Sequence, residues 1–239
     1  MSGADFGLWT YLAASPLLWL TLTLLVWIAA DGIAVFCGRH PAVNPVLIAI
    51  VLVALILVAT GTPYRVYFEG AQFIHFLLGP ATVALAVPLY RNWRLVRRRL
   101  LPIAAALVAG SVTAVVSAVG LALLFGVPKP AVIAIAPKSV TAAIAMGVST
   151  ELGGDPALTA VLVIMTGVLG AVMVTPLMNA LKIRDYAARG FAVGLAAHGI
   201  GTARAFTVDS TAGTFAGIGM ALNAVMTALI MPVLLAFFF

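Results

Sequence analysis

The sequence predicts an all-α polytopic membrane protein, and two observations carry this prediction. The first is composition: 64% of the 239 residues are hydrophobic and only 8% are charged, whereas soluble domains carry about 25% charged residues. The mean hydropathy is +1.19. The second is patterning, because the apolar runs are continuous, while strands of a membrane barrel alternate between apolar and polar residues. We therefore expect a single transmembrane domain of helices over residues 1–239.

Apolar runs of about 17–25 residues can cross a membrane as helices, and they divide the chain into candidate spans. In chain order these are Leu8–Ala30, Pro45–Ala59, Ala71–Tyr90, Leu101–Phe125, Pro130–Ser149, Ala157–Leu181, Ala187–Phe206 and Ala212–Phe238. The first belongs to a peripheral N-terminal part, residues 1–43, and residues 44–239 form the predicted core. We expect seven or eight of these spans, at least one of them broken or re-entrant.

Basic residues in the loops set the predicted orientation. Five arginines between residues 91 and 99 fall in one short loop, which the positive-inside rule assigns to the cytoplasm. If every span crosses, the basic loop at residues 182–189 lies outside, against the same rule. A re-entrant hairpin at Pro130–Ser149, broken at Pro137-Lys138, would return both loops to the cytoplasm. The alternative is that another glycine-rich segment is the re-entrant one.

The strongest candidate for a binding site is Lys138, which stands between two apolar runs. A charge at the bilayer centre costs roughly 2.5–3.5 kcal/mol on insertion scales, and Pro137 removes a backbone donor and interrupts the helix. We predict that a half-helix begins near Ser139, and that its free amides bind an anion together with Lys138 and the hydroxyls of Ser139 and Thr141. The alternative is a kinked helix whose lysine extends to the membrane interface.

A second proline break has a related sequence and suggests an internal repeat. Pro80 and Pro137 each begin the pattern Pro, any residue, Ser or Thr, Val, two residues, Ala. Matching interruptions in two halves of a transporter are typical of inverted repeats around a binding site. If the repeat is real, Thr82 lines the site from the opposite half. The alternative is a chance match in a chain rich in alanine and valine.

Polar residues of the seventh span form a second candidate group. His198, Thr202 and Arg204 lie in a glycine-rich apolar stretch, and ionisable residues within a membrane span usually have a functional partner. We predict that they line the same site and that His198 relays a proton. The alternatives are a histidine bonded to a neighbouring carbonyl and an interfacial Arg204. Glu151 is a candidate for gating or proton coupling, while Asp155 is predicted to cap the next helix.

Other classes of function find no support in the sequence. Cys37 is the only cysteine, which excludes an internal disulfide and offers no metal cluster. Motifs of phosphate-binding loops, zinc proteases and serine hydrolases are absent. The net charge of +6 is carried mainly by one loop, so it does not indicate nucleic-acid binding. We predict no enzyme, no cofactor and no metal. Gly190 and Gly194 are expected to serve helix packing, with a dimer interface as the alternative.

Several motifs together resemble the LrgB/CidB family. These motifs are Asn44-Pro45, Leu78–Tyr90, Pro137–Thr141, Gly153-Gly154, Leu158–Val161, Thr166-Gly167 and His198–Ala205. The resemblance implies two accounts of function. One is antiholin-like regulation of murein hydrolases and cell lysis beside a small LrgA/CidA-type membrane partner. The other is transport of small monocarboxylates, such as pyruvate in bacteria or glycolate and glycerate in plastid relatives. The resemblance also implies a homodimer.

We predict a secondary transporter of a small monocarboxylate in the bacterial inner membrane, working by alternating access. The predicted substrate-binding residues are Lys138, Ser139, Thr141, Thr82, His198, Thr202 and Arg204. A lysine and several helix breaks within the membrane favour transport, because a passive scaffold does not need them. The alternative is the antiholin-like regulator, and a non-selective channel is a third reading.

Overall fold

The computed structural model of the chain describes residues 15–40, 43–77, 80, 83–84, 86–98 and 100–239. All regular secondary structure in these residues is helical, which confirms the predicted all-α class. In chain order the helices are α1 (Pro16–Phe36), α2 (Pro45–Thr60), α3 (Tyr64–Phe76), α4 (Ala86–Arg91), α5 (Trp93–Arg98), α6 (Leu100–Leu124), α7 (Lys129–Ile135), α8 (Ala142–Glu151), α9 (Pro156–Ala180), α10 (Tyr186–Val208) and α11 (Ser210–Ala236). The chain forms two compact units, residues 1–81 and 82–239. The single domain divided at residue 43 stays a prediction.

Four of the described helices, α1, α6, α9 and α11, are long and apolar enough to cross a membrane. Helix α9 shows how such a helix is arranged, because its small and polar residues face inward while its large apolar residues face outward. The buried positions are Thr159, Val163, Gly167 and Ala171. The exposed positions are Val161, Met165, Leu169 and Met173. Small residues at the helix contact and large apolar residues outside are the arrangement expected in lipid.

Two helix boundaries lie well away from those of the predicted spans. Helix α1 runs from Pro16 to Phe36, so it ends beyond the predicted Ala30. Helix α3 begins at Tyr64, before the predicted Ala71. Hydropathy alone does not indicate where a helix is capped. Proline is favoured in the first helical turn, because the amide hydrogen that it lacks would have no partner there. Pro16 therefore fixes the start of α1.

Some predictions fall outside the described residues. They concern the start of the first span at Leu8, Gly79 of the Gly79-Pro80 break, the predicted site residue Thr82, and Arg99 of the arginine-rich loop. The internal repeat, which depends on the residues after Pro80, stays a prediction for the same reason.

The N-terminal unit contains α1, α2 and α3, with Trp19 at its centre. The indole is fully buried and meets the Tyr67 ring of α3 edge-on, with 6.0 Å between ring centroids. Gly70 lets α1 and α3 approach, since a Cβ there would lie 2.8 Å from Trp19 Cβ. Asn44 caps α2 by accepting hydrogen bonds from two amides of the first turn, as the Asn44-Pro45 pair predicts.

In the C-terminal unit, helices α10 and α11 are packed at backbone distance. A Cβ on Gly190 would collide with the carbonyl oxygen of Ala212, and a Cβ on Gly194 would collide with that of Ala216. Helix α9 packs on α10, and α6 packs on α11. The Gly-x-x-x-Gly pattern thus serves packing within this chain, as expected by default, and the predicted dimer stays a prediction.

The segment predicted to be re-entrant is broken and folds back on itself. Residues 136–141 separate α7 from α8 and are not helical. Gly154, just beyond α8, lies against the end of α7, since a Cβ there would be 2.9 Å from Ile133 Cγ2. Val148 and Leu152 of this return also pack on the apolar cluster that contains Ile133. Helices α7 and α8 therefore form a hairpin, which is the geometry that a re-entrant segment requires.

Candidate functional site

A cavity of about 820 Å³ lies in the C-terminal unit. It is lined by α6, the first half of α10 and the break between α7 and α8. The wall is mainly small and apolar, and its members include Ile103, Ala106, Gly110, Ala188, Phe191, Ala192, Leu195, Ala196 and Phe215. The polar residues of the wall are Lys138, Ser139, Thr113 and Asp185. The cavity is thus an apolar chamber with few polar groups, the usual form of a small-molecule site.

Lys138 and Ser139 lie together on this wall, at the hairpin break. Ser139 is buried and Lys138 is half-buried. Among the described residues, no carboxylate forms an ion pair with Lys138. The one acidic residue of the wall, Asp185, instead caps α10 by accepting from the amides of Ala187 and Ala188, at 2.7 and 3.2 Å. The wall therefore offers an ammonium group that no carboxylate of the described chain neutralises.

Thr141 occupies the N-cap position of α8 but makes no capping hydrogen bond through its side chain. Within the described part of the chain, its Oγ1 is buried without a hydrogen-bond partner. Thr141 is not among the residues of the cavity wall. The threonine hydroxyl therefore does not cap the amides in the first turn of α8. Thr141 lies three residues after Lys138 in the sequence.

The second break lies within α10, where the Gly-rich sequence predicts an interruption. Ala197 and His198 leave the helical conformation, and His198 has a φ of 41° and a ψ of −137°. The imidazole Nε2 lies 2.8 Å from the Val163 carbonyl oxygen of α9. Gly167 makes room for the ring, since a Cβ there would lie 2.6 Å from His198 Cε1. His198 is therefore buried and bonded to a carbonyl, which is the alternative reading of this residue.

None of the other predicted residues that the structure describes lies on the cavity wall. The Thr202 hydroxyl donates to the carbonyl oxygen of His198 at 2.8 Å. Arg204 lines a separate recess of about 20 Å³ between α9, α10 and α11, and donates to Thr207 at 3.2 Å. Glu151 is exposed at the end of α8. The structure thus brings together Lys138 and Ser139, while the roles assigned to the remaining residues stay predictions.

Asn223 is a polar residue of α11 that the sequence analysis missed. Its Nδ2 donates to the Leu195 carbonyl oxygen at 2.9 Å, and its Oδ1 accepts from Ser111 Oγ of α6 at 2.6 Å. Thr227 donates to the same oxygen at 3.3 Å. The signal in the sequence is an asparagine within an otherwise apolar span, which indicates a polar contact between helices because buried amides require hydrogen-bond partners.

No group of three or more His, Cys, Asp or Glu side chains in the described residues could hold a metal ion. The absence of cofactors and of enzymatic activity stays a prediction. Long apolar helices, two helix breaks and a lysine-lined cavity define a multi-pass membrane protein.

This chain belongs to the LrgB-like family, whose model matches residues 23–237. It is 34% identical to the holin-like protein CidB of Staphylococcus epidermidis over 84% of this chain and 88% of the relative. It is 36% identical to the uncharacterized protein YwbG of Bacillus subtilis over 91% of this chain and 96% of the relative. CidB of Staphylococcus aureus is 32% identical over 84% and 87%. No solved structure matches the chain. The predicted family and multi-pass bacterial membrane location are confirmed.

Proposed function

We propose that this protein carries a small monocarboxylate anion across the bacterial inner membrane. The observation that carries the proposal is Lys138, which lines a cavity of about 820 Å³ and forms no ion pair with a carboxylate of the described residues. A charge placed in apolar surroundings is costly and usually functional. A bound carboxylate would neutralise the ammonium and so offset that cost.

The polar groups beside Lys138 suit a carboxylate. Ser139 is buried on the same wall and supplies a hydroxyl donor. The start of α8, just beyond this wall, adds the partial positive charge of a helix N-terminus that no side chain caps. An ion pair reinforced by such hydrogen bonds is stronger in a low-dielectric cavity than in water. Small 2-oxo and 2-hydroxy acids, such as pyruvate and glycolate, match this set of donors.

Uptake into proteoliposomes tests the proposal. The purified protein is reconstituted and counterflow of labelled glycolate and pyruvate is measured. We expect Lys138→Ala to reduce transport at least tenfold, because a lost charge-assisted pair costs about 1.5–3 kcal/mol. Lys182→Ala, which removes an exposed lysine of the same unit, is the matched control and should transport normally. Full transport by Lys138→Ala would contradict the proposal.

The relatives favour a second candidate function more directly than they favour the first. Two staphylococcal proteins with 32–34% identity carry the name holin-like protein CidB. By this similarity we propose, as the alternative, an antiholin-like regulator of cell lysis that acts with a small LrgA/CidA-type membrane protein. The test of this alternative compares autolysis of cells that produce the wild-type protein with autolysis of cells that produce Lys138→Ala. A regulator that does not bind an anion keeps its lysis phenotype in the variant, whereas a phenotype that follows from transport is lost.

A further inference from the structure

The exposed arginines of α4 and α5 form a surface that neither transport nor lysis explains. We define the basic ledge as Arg91, Arg94, Arg97 and Arg98, all of which are exposed. No aspartate or glutamate occurs between Glu69 and Glu151. Within the described ranges, no carboxylate forms an ion pair with any of the four. The ledge is therefore a concentrated positive charge that this part of the chain does not neutralise.

The fold holds the arginine face of α5 outward. Val96 is 2% exposed and packs in an apolar cluster with Ile103 and Phe191. Arg94, Arg97 and Arg98 follow the three- and four-residue spacing that places side chains on one face of a helix. Because Val96 fixes the opposite face in the core, the guanidinium groups are presented together.

The neighbouring aromatic residues indicate how deep in the membrane the basic ledge lies. Trp93 and Tyr90 are both exposed, with 53% and 84% of their surface accessible. Exposed tryptophan and tyrosine next to membrane spans are typical of the headgroup region. The membrane helix α6 begins at Leu100, directly after the ledge. With the orientation that the positive-inside rule predicts, the arginines stand at the level of the phosphate groups of the cytoplasmic leaflet.

We propose that the basic ledge binds the headgroups of anionic phospholipids. Guanidinium groups pair with phosphate oxygens in a two-pronged geometry, and arginine clusters beside a membrane helix attract anionic lipids. The apolar cluster that holds Val96 also contains Ile103, Phe191 and Leu195, which line the cavity. Lipid bound at the ledge therefore stabilises the same cluster that forms one end of the cavity wall. This proposal is independent of whether the chain carries an anion.

Lipid retention by the purified protein tests the proposal. The full chain is extracted from an equimolar mixture of phosphatidylglycerol and phosphatidylcholine, and the lipids that remain bound are counted by native mass spectrometry. We expect phosphatidylglycerol to be enriched, and the enrichment to fall about fivefold for each arginine replaced by glutamine at positions 94, 97 and 98. The double variant Lys182→Gln and Arg184→Gln is the matched control, and it should retain the wild-type enrichment.

Because these arginines also direct insertion, glutamine variants that insert wrongly need a second measurement. The triple variant Arg94→Lys, Arg97→Lys and Arg98→Lys keeps the charge and the topology but loses the two-pronged geometry, so its enrichment should fall. Enrichment in the wild type should also weaken as salt is raised. Equal retention of both lipids, enrichment unaffected by salt, or lysine variants that retain lipid fully would overturn the proposal. Displacement of the lipid by free glycerol phosphate or by an acidic peptide at equal concentration would overturn it as well.

Discussion

Asn223 of α11 donates its side-chain amide to the carbonyl oxygen of Leu195 at 2.9 Å, two residues before helix α10 leaves the helical conformation. In a regular helix this carbonyl would accept from the amide of Gly199, on the far side of the break. Asn223 instead supplies a hydrogen-bond donor to the Leu195 carbonyl oxygen. Through Ser111 it also ties α6 to α10, the two long walls of the cavity.

Loss of this connection should destabilise the C-terminal unit. We expect Asn223→Ala to lower the free energy of unfolding by about 1–2 kcal/mol, because it leaves buried polar groups unpaired in a membrane interior. Ser111→Ala should cost less, and the two changes together should be non-additive because the residues share one hydrogen bond. Denaturation in detergent, followed by circular dichroism, measures this. Ser117→Ala is the control, since that hydroxyl is exposed and should matter little.

The backbone at His198 predicts an unusual order of stabilities. A φ of 41° disfavours any residue with a Cβ. His198→Ala and His198→Gly both remove the contact with Val163, but only glycine relieves the strained backbone. We expect the glycine variant to be more stable than the alanine variant by about 1 kcal/mol. Equal stability of the two variants in the same denaturation assay would mean that the backbone at this position is not strained.

Gly167 should tolerate no side chain. An added Cβ would lie 2.6 Å from Cε1 and 2.7 Å from Nε2 of His198, so the ring must leave the Val163 carbonyl. We expect Gly167→Ala to cost about 1–3 kcal/mol of stability. Gly147→Ala in α8 is the control, because nothing lies within 4 Å of its Cβ position. Thermal unfolding of the two variants side by side gives the comparison, and a Gly167→Ala protein as stable as the control would contradict it.

The cavity should be open to water-soluble reagents. In a Cys37→Ser background, which removes the only native cysteine, we expect Ala192→Cys to react with a charged maleimide because this residue lines the cavity. Glycolate at saturating concentration should slow that reaction. Ala216→Cys, fully buried against α10, is the control and should not react. Labelling is read as a mass shift, and an unreactive Ala192→Cys would show that the cavity is closed to water.

Much of this fold follows from local sequence signals. Asp155 before Pro156 predicts a helix cap, and the carboxylate does accept from the amides of Ala157 and Leu158, at 2.8 and 3.3 Å. Pro137 predicts the hairpin break, and the glycine-rich stretch predicts the break in α10. These succeed because proline, glycine and capping residues act on the backbone within a few positions of themselves.

The candidate site was less accessible to sequence reasoning, because it depends on contacts between distant segments. Lys138 was found because a charge within apolar sequence is conspicuous. The bond from Asn223 to Leu195 spans 28 positions and leaves no periodic pattern. His198 was expected at the site, but the approach of its ring to Val163 depends on Gly167, a neighbour in space that no spacing rule identifies. It is also the histidine, and not the adjacent Gly199, that takes the positive φ.

The close contact of Gly190 and Gly194 with α11 has a consequence for motion. Two helices that touch backbone to backbone, and are further joined by Asn223, cannot slide apart without losing this close packing and leaving the buried Asn223 amide without its Leu195 partner. We therefore expect α10 and α11 to travel as one rigid body. Because Ser111 also joins α6 to Asn223 of that pair, any rocking that turns Lys138 from one side of the bilayer to the other must then be made by the α7–α8 hairpin moving against the three helices.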